Sequence, residues 1–168
     1  KAVIATSSGT TALHAMLWAI QRQDGQQRIG TQDFTFASNS IGPAEGPIVT
    51  DMLPSFNCNL DDEYIRLSKI MIITNIFGHL QDFNYISKYN FPYVIFDNAA
   101  TPYSFWEGTN SCNLGTGAYI SLHHTKPIGF GEGGLAIIDK EYEEQTRIAC
   151  NFGIVDGKFN ERSGNYKM

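Results

Sequence analysis

The feature that most constrains the fold is a set of short apolar runs that do not alternate with polar residues. Ile70-Met71-Ile72-Ile73-Thr74 and Tyr93-Val94-Ile95-Phe96 are the clearest, and Pro47-Ile48-Val49-Thr50 is a third. Val3 to Ala5, Gly117 to Leu122 and Gly134 to Asp139 extend the set, with Val3 to Ala5 expected as a core strand. A strand exposed on one face alternates, whereas a strand buried on both faces reads as a continuous apolar run. Helical patterns lie between the runs. Leu13, Met16, Leu17 and Ile20 share one face, with Ala12, Ala15 and Ala19 beside them. Further helices are expected near Asp82 to Tyr89 and from Glu141 to Cys150. The pattern predicts one α/β domain built on a parallel sheet flanked by helices.

Composition narrows the function classes. The chain has 168 residues, 42% hydrophobic and 17% charged, which suits a globular domain with a sizeable core. Its net charge is -5 and no Lys/Arg cluster opposes it, so a nucleic-acid surface is not expected. Cys58, Cys112 and Cys150 are odd in number and widely spaced, which argues against a disulfide framework or a zinc site and for a reducing, cytoplasmic setting. No apolar run reaches membrane-spanning length and no signal-peptide pattern opens the chain, so no membrane association is expected. The chain starts at Lys1 beside a strand and ends at Gly164-Asn165-Tyr166-Lys167-Met168, which reads as a piece of something longer.

Three places carry side chains suited to chemistry. Ser7-Ser8-Gly9-Thr10 opens a helix, where free N–H groups and the positive end of the helix dipole favour a phosphate. A plain N-cap explains the same residues and is the commoner case. Neither a Walker lysine pattern nor Gly-x-Gly-x-x-Gly occurs at this turn. Asp97 ends an apolar strand, where open α/β sheets bind ligands, and a carboxylate there can keep a heterocyclic nitrogen protonated. Capping of a following helix is the alternative. Lys126 follows Ser121-Leu122-His123-His124-Thr125 and precedes Gly129-Phe130-Gly131-Glu132-Gly133-Gly134. A lysine beside a glycine-rich loop can reach a buried site and serve in Schiff-base chemistry, or it can be an ordinary surface lysine. Neighbouring residues of a strand point to opposite faces, which makes His123-His124 a poor metal chelate. A hydrolase built on Asp97 and His123 has no nucleophile motif behind it. The order of phosphate cup, strand-end carboxylate and later lysine matches the contacts that pyridoxal phosphate requires.

These residues resemble the DegT/DnrJ/StrS family of pyridoxal-phosphate-dependent sugar aminotransferases, of aspartate-aminotransferase fold type. The resemblance runs through nearly the whole chain. Ser7-Ser8-Gly9-Thr10-Thr11-Ala12-Leu13-His14 is similar to the family's opening Ser-x-Gly-Thr-x-Ala-Leu. Asp33-Phe34-Thr35-Phe36-Ala37-Ser38-Asn39 resembles its aromatic segment, and Asn59-Leu60-Asp61 its Asn-Leu-Asp turn. Phe77-Gly78 with Asp82, Lys126 with Gly131-Glu132-Gly133-Gly134, and Asn165-Tyr166-Lys167-Met168 complete the match. The lysine segment with its Gly-Glu-Gly-Gly loop is the most specific part.

The resemblance implies a three-layer α/β/α domain with a mostly parallel central sheet, with residues 1–168 as part of the large cofactor-binding domain. Lys126 would be the Schiff-base and proton-moving lysine, and Asp97 the partner of the pyridinium nitrogen. Phe36 would stack on the ring, while Gly9, Thr10 and Ser121 bind the phosphate, with Ser8 a weaker candidate. Asn165 would reach the phosphate of a neighbouring subunit in a homodimer. The implied reaction moves an amino group from a donor such as glutamate to a nucleotide-linked keto-sugar. The lysine favours this over the dehydratase branch of the family, which has histidine there. The chain departs from the pattern at Ala100, where the family carries Gln or His near the cofactor's phenolic oxygen; Asn98 or Thr101 could stand in, or the contact is missing. The family also has a smaller C-terminal domain and an earlier start. A truncated, non-catalytic domain that binds the cofactor or self-associates is the competing reading.

Overall fold

A computed structural model of the chain describes residues 1–41 and 46–159. The chain opens with β1 (Ala2–Thr6) and α1 (Gly9–Asp24), followed by β2 (Ile29–Gln32), α2 (Ser38–Ile41) and β3 (Ile48–Thr50). Next come β4 (Ile70–Thr74), α3 (Phe83–Ser87) and β5 (Tyr93–Asp97), then a hairpin of β6 (Phe105–Trp106) and β7 (Thr109–Asn110). β8 (Gly117–Ser121), β9 (Gly134–Ile138) and α4 (Glu143–Cys150) follow, and a small hairpin of β10 (Ile154–Val155) and β11 (Lys158–Phe159) comes last.

Seven strands form one sheet in the order β1-β9-β8-β5-β4-β2-β3. β3, β2, β4, β5 and β8 are parallel neighbours. β9 runs antiparallel to both β8 and β1. The sheet is therefore mostly parallel, as the resemblance implies, with one reversed strand. The reason is local: the chain leaves β8, makes the loop 122–133 and returns beside it. A parallel neighbour would have needed a crossover connection, usually a helix.

Alternate residues of each central strand feed two separate cores. Ile70, Ile72, Ile95, Tyr119, Ala136 and Ile138 pack with α1 and α4 on one face. Met71, Ile73, Val94, Phe96, Ala118, Ile120 and Ile137 pack on the other with Leu60, Ile65, Ile86 and Cys112. The continuous apolar runs are thus explained by burial on both sides. Complete burial of each isoleucine stabilises by roughly 1.5–3 kcal/mol relative to exposure. The second layer is light, because α3 spans only Phe83–Ser87, shorter than the sequence suggests. Asp82 caps it by accepting from the Tyr85 N–H at 3.0 Å. The last helix begins two residues late, since Lys140–Tyr142 forms a 3-10 turn before α4.

Two strands depart from expectation. β1 lies at the end of the sheet and only Ala2, Ile4 and Thr6 are buried, while Val3 is 57% exposed. The apolar run was legible there, but the position at an edge was not. β2 was not anticipated, because Ile29-Gly30-Thr31-Gln32 lacks an apolar run although all four residues are buried.

Small residues let α1 lie close on the sheet. Ala12, Ala15 and Ala19 have no exposed surface. At the helix start, a Cβ on Gly134 would overlap the Ser8 carbonyl and come within 2.6 Å of the Gly9 nitrogen. Gly134→Ala must therefore displace the start of α1 from β9. It is expected to cost about 2 kcal/mol, read as a lower midpoint in urea denaturation; an unchanged midpoint would show that the contact is not restrictive.

Candidate functional site

The strands β1, β4, β5 and β8 end at one cavity of about 460 Å³. That size suits a small organic ligand. The start of α1 forms one wall. Ser8 is its N-cap, accepting from the Thr11 N–H at 3.1 Å, while Thr11 Oγ1 accepts from the Ser8 N–H at 2.8 Å. The N-cap reading therefore holds for Ser8. The N–H groups of Gly9 and Thr10 lack intrahelical acceptors by helix geometry, and both residues line the cavity. Gly9 sits against Ser121, where an added Cβ would lie 3.1 Å from the Ser121 Cβ. Ser121 ends β8, lines the same wall and accepts from the His123 N–H at 3.3 Å. Helix-end donors and the helix dipole favour negative charge at this corner.

Asp97 ends β5, opposite Thr74 of β4 and Tyr119 of β8. It is 3% exposed and lines the cavity. Its Oδ1 accepts from the Ala99 N–H at 3.0 Å, which closes a local turn. No helix follows, so the helix-cap alternative does not apply. Oδ2 accepts from Asn39 Nδ2 at 3.1 Å, and Asn39 Oδ1 accepts from the Tyr119 hydroxyl at 2.6 Å. Burial pushes the Asp97 carboxyl up, opposed by the Tyr119 hydroxyl, the Ala99 N–H, the Asn39 amide and the positive charge of Lys126. Burial, with the Asp97 charge, pushes the Tyr119 hydroxyl well above its ordinary range. Among the described residues no cation lies within ion-pair distance of Asp97.

Lys126 stands in the loop after β8 and faces the cavity, with Nζ 5.9 Å from the centre of the Phe36 ring. Phe36 is 66% exposed and lines the opposite wall. Phe34 and Phe77 meet edge to face at 6.5 Å on the same rim. The lysine loop is held by its backbone: the Leu122 N–H donates to Gly133 and the His124 N–H to Gly131, both at 2.9 Å. His123 Nδ1 lies 2.7 Å from Thr125 Oγ1, and its Nε2 lies 3.4 Å from Glu132. Among the described residues no group of three or more His, Cys, Asp or Glu side chains is placed to hold a metal. All three cysteines are buried, and none forms a disulfide among the described residues. No helix of the described residues is long and apolar enough to cross a membrane.

The structure brings Gly9, Thr10, Phe36, Asp97, Ser121 and Lys126 to one cavity. Asn165 lies outside the described residues. Ala100 lines the cavity, but neither suggested substitute turns toward it. Asn98 donates to Ser111 at 3.0 Å and accepts from Asn75 at 2.6 Å. Thr101 donates to the Asn75 carbonyl at 2.8 Å and accepts from the Gly78 N–H at 3.1 Å. Sequence reasoning missed Asn39, Thr74 and Tyr119. A signal existed for Tyr119: a tyrosine inside an apolar strand must find a partner for its hydroxyl.

The chain matches the model of the DegT/DnrJ/EryC1/StrS aminotransferase family over residues 1–168. It is 32% identical over 161 residues to the UDP-2-acetamido-2-deoxy-3-oxo-D-glucuronate aminotransferase of Pseudomonas aeruginosa, covering 88% of this chain and 44% of that protein. Its fold is similar to Spr1654 of Streptococcus pneumoniae in its PLP form, at a TM-score of 0.85 and 17% identity, covering 99% of this chain and 51% of that one. It is also similar to Helicobacter pylori PseC, an aminotransferase involved in the biosynthesis of pseudoaminic acid, at a TM-score of 0.82 and 18% identity, covering 100% of this chain and 50% of that one. The chain thus spans about half the length of these relatives.

The raised Asp97 carboxyl has a measurable consequence. The folded protein keeps this proton above the ordinary value of 3.8, where the unfolded chain has lost it. Stability falls with rising pH wherever the unfolded state binds fewer protons. In the ligand-free protein, the stability of wild type minus that of Asp97→Asn should therefore fall as pH rises from 3.8, then level off once the folded carboxyl has ionised. Denaturant titrations across roughly pH 3–8 test this; a difference independent of pH would contradict it.

Proposed function

The chain belongs to the DegT/DnrJ/EryC1/StrS aminotransferase family, and from that premise we propose that it is the cofactor-binding part of a pyridoxal-phosphate-dependent sugar aminotransferase. Residues 1–168 would belong to its large domain. One observation carries the reading: an anion corner, a buried carboxylate without a cation, an aromatic face and a lysine converge on one cavity.

The residues fit the group. Gly9, Thr10 and Ser121 would hold its phosphate through helix-end N–H groups and a hydroxyl. Asp97 would hold the protonated ring nitrogen, which supplies the cation the buried carboxylate lacks. Phe36 would cover one ring face. Lys126 would hold the group covalently through Nζ and, when neutral, move protons on the substrate. When bound, pyridoxal phosphate supplies an electron sink and a carbonyl carbon at which amines exchange. Asp97 and Phe36 orient it, and the rim formed by Phe34 and Phe77 limits water on that side.

The P. aeruginosa relative acts, by its name, on a UDP-linked keto-sugar acid. That likeness supports a nucleotide-linked keto-sugar as amino acceptor, with an amino acid such as glutamate as donor, in surface-polysaccharide or deoxyamino-sugar biosynthesis. A homodimer is part of the proposal, with Asn165 reaching the neighbour's phosphate site. The competing reading is a domain that binds the cofactor without turnover.

Borohydride reduction in the presence of pyridoxal phosphate should add the cofactor's mass to the peptide bearing Lys126. Lys126→Ala should abolish that label and lower any amine transfer by about 10²–10⁴-fold. A label on another lysine would overturn the assignment. A label without transfer to any nucleotide-linked keto-sugar would leave the non-catalytic reading standing.

A further inference from the structure

Asn39 is fully buried and touches Asp97, Tyr119 and the segment that carries Phe36. It lies in α2, and its backbone N–H donates to the Phe36 carbonyl at 3.0 Å. Its side-chain amide is used at both ends. Oδ1 accepts from the Tyr119 hydroxyl at 2.6 Å, and from Ser38 at 3.4 Å. Nδ2 donates to Asp97 Oδ2 at 3.1 Å and to Thr35 Oγ1 at 2.7 Å. Thr35 and Thr74 hydroxyls lie 2.5 Å apart, and Thr74 reaches Asp97 Oδ2 at 3.5 Å. Asn39 Nδ2 and the Thr74 hydroxyl are the members of this set that donate to the carboxylate. An ionised carboxylate only accepts, so the arrangement matches the charged form of Asp97.

The Asn39 amide is held between the Tyr119 hydroxyl and the Asp97 carboxylate; the carboxylate, which only accepts, keeps it from turning over, and the hydroxyl holds its other end. Were the amide reversed, Nδ2 would face the tyrosine and Oδ1 would face the carboxylate, oxygen against oxygen. The tyrosine is itself fixed in the central strand β8 with 2% exposure. The sheet therefore fixes the hydroxyl that meets Asn39 Oδ1, and Asn39 Nδ2 is left facing Asp97 Oδ2.

Resting on the assignment of Asp97 to the ring nitrogen, we propose that Asn39, anchored at Oδ1 by Tyr119, is the positioning residue that presents the Asp97 carboxylate to the ring nitrogen of the bound cofactor. It acts through Asp97 and does not touch the ring. The same residue ties Asp97 to the Phe36 segment, so the ring's edge contact and its face contact share one anchor.

The test compares pyridoxal phosphate with its 1-deaza analogue, in which a C–H replaces the ring nitrogen. Binding to the cofactor-free protein is measured for wild type, Asn39→Ala and Tyr119→Phe. Wild type should bind pyridoxal phosphate more tightly than the analogue. Asn39→Ala should weaken the natural cofactor by about tenfold and leave the analogue unchanged. Tyr119→Phe, which keeps the ring in the core, should show the same selectivity with a smaller loss. Equal losses for both ligands would reduce Asn39 to a structural role, and no loss would remove it from the site. If wild type does not discriminate between the two ligands, the Asp97 assignment itself fails, and this inference with it.

Discussion

A sheet buried on both faces leaves polar side chains little room except at its strand ends. β4, β5 and β8 are apolar along their length and turn polar at their last residue: Thr74, Asp97 and Ser121. β1 ends at Thr6, directly before the cap of α1. Four of these strands run in the same direction, so their polar ends gather along one edge. The chemistry of the cavity follows from that constraint. Inside the sheet an unpartnered carboxylate would be too costly. At the strand end Asp97 keeps three donors and one open side.

Below the cavity the same logic produces a closed polar floor. Gln81 donates to the Thr74 carbonyl at 3.1 Å and the Phe56 carbonyl at 2.9 Å, and accepts from the Cys58 N–H at 2.7 Å. Gln32 accepts from the Thr74 N–H at 3.1 Å. Asn75 accepts from the Gln81 N–H at 2.9 Å and donates to Asn98. Leaving one such buried group unpaired would cost about 1–3 kcal/mol. These bonds fix the ends of β2, β4 and β5 relative to one another. They also explain why Asn98 and Thr101 are not free to serve the cavity beside Ala100. Both are already used to join β5 to β4 and to the turn at Gly78.

The sequence made the layered fold legible because two-sided burial leaves a plain mark, as in Ile70-Met71-Ile72-Ile73. It could not show the reversal of β9, since Gly134 to Ile138 reads the same in either direction. β2 escaped because Gly30 and Gln32 are buried for reasons of close packing and hydrogen bonding rather than apolarity. For the cavity, Gly9, Asp97 and Lys126 were legible as residue types placed after strands. Asn39 and Tyr119 were not, because their importance lies in a contact between positions 80 residues apart. A pattern read along the chain carries the strand ends, but it does not carry what meets across them.

The two halves of the cavity differ in stiffness, and the difference suits their tasks. Asp97 and Ser121 belong to strands, and Gly9 to a capped helix set against β9. Lys126 instead stands in a loop between β8 and β9. That loop is held by main-chain bonds, including Phe130 N–H to Leu122 at 2.8 Å and Lys126 N–H to His123 at 2.8 Å. Gly129 permits the close approach, since a Cβ there would lie 2.7 Å from the His123 oxygen. Gly131 and Gly133 adopt the positive φ values of 106° and 142° that turn the loop back. The backbone of the loop is thus defined, while among the described residues Lys126 Nζ makes no hydrogen bond and lies over the Phe36 ring. The role proposed for Lys126, to hold a ligand, release it and then carry a proton, needs a fixed base and a free end. The groups that recognise charge need the opposite, and the sheet provides it.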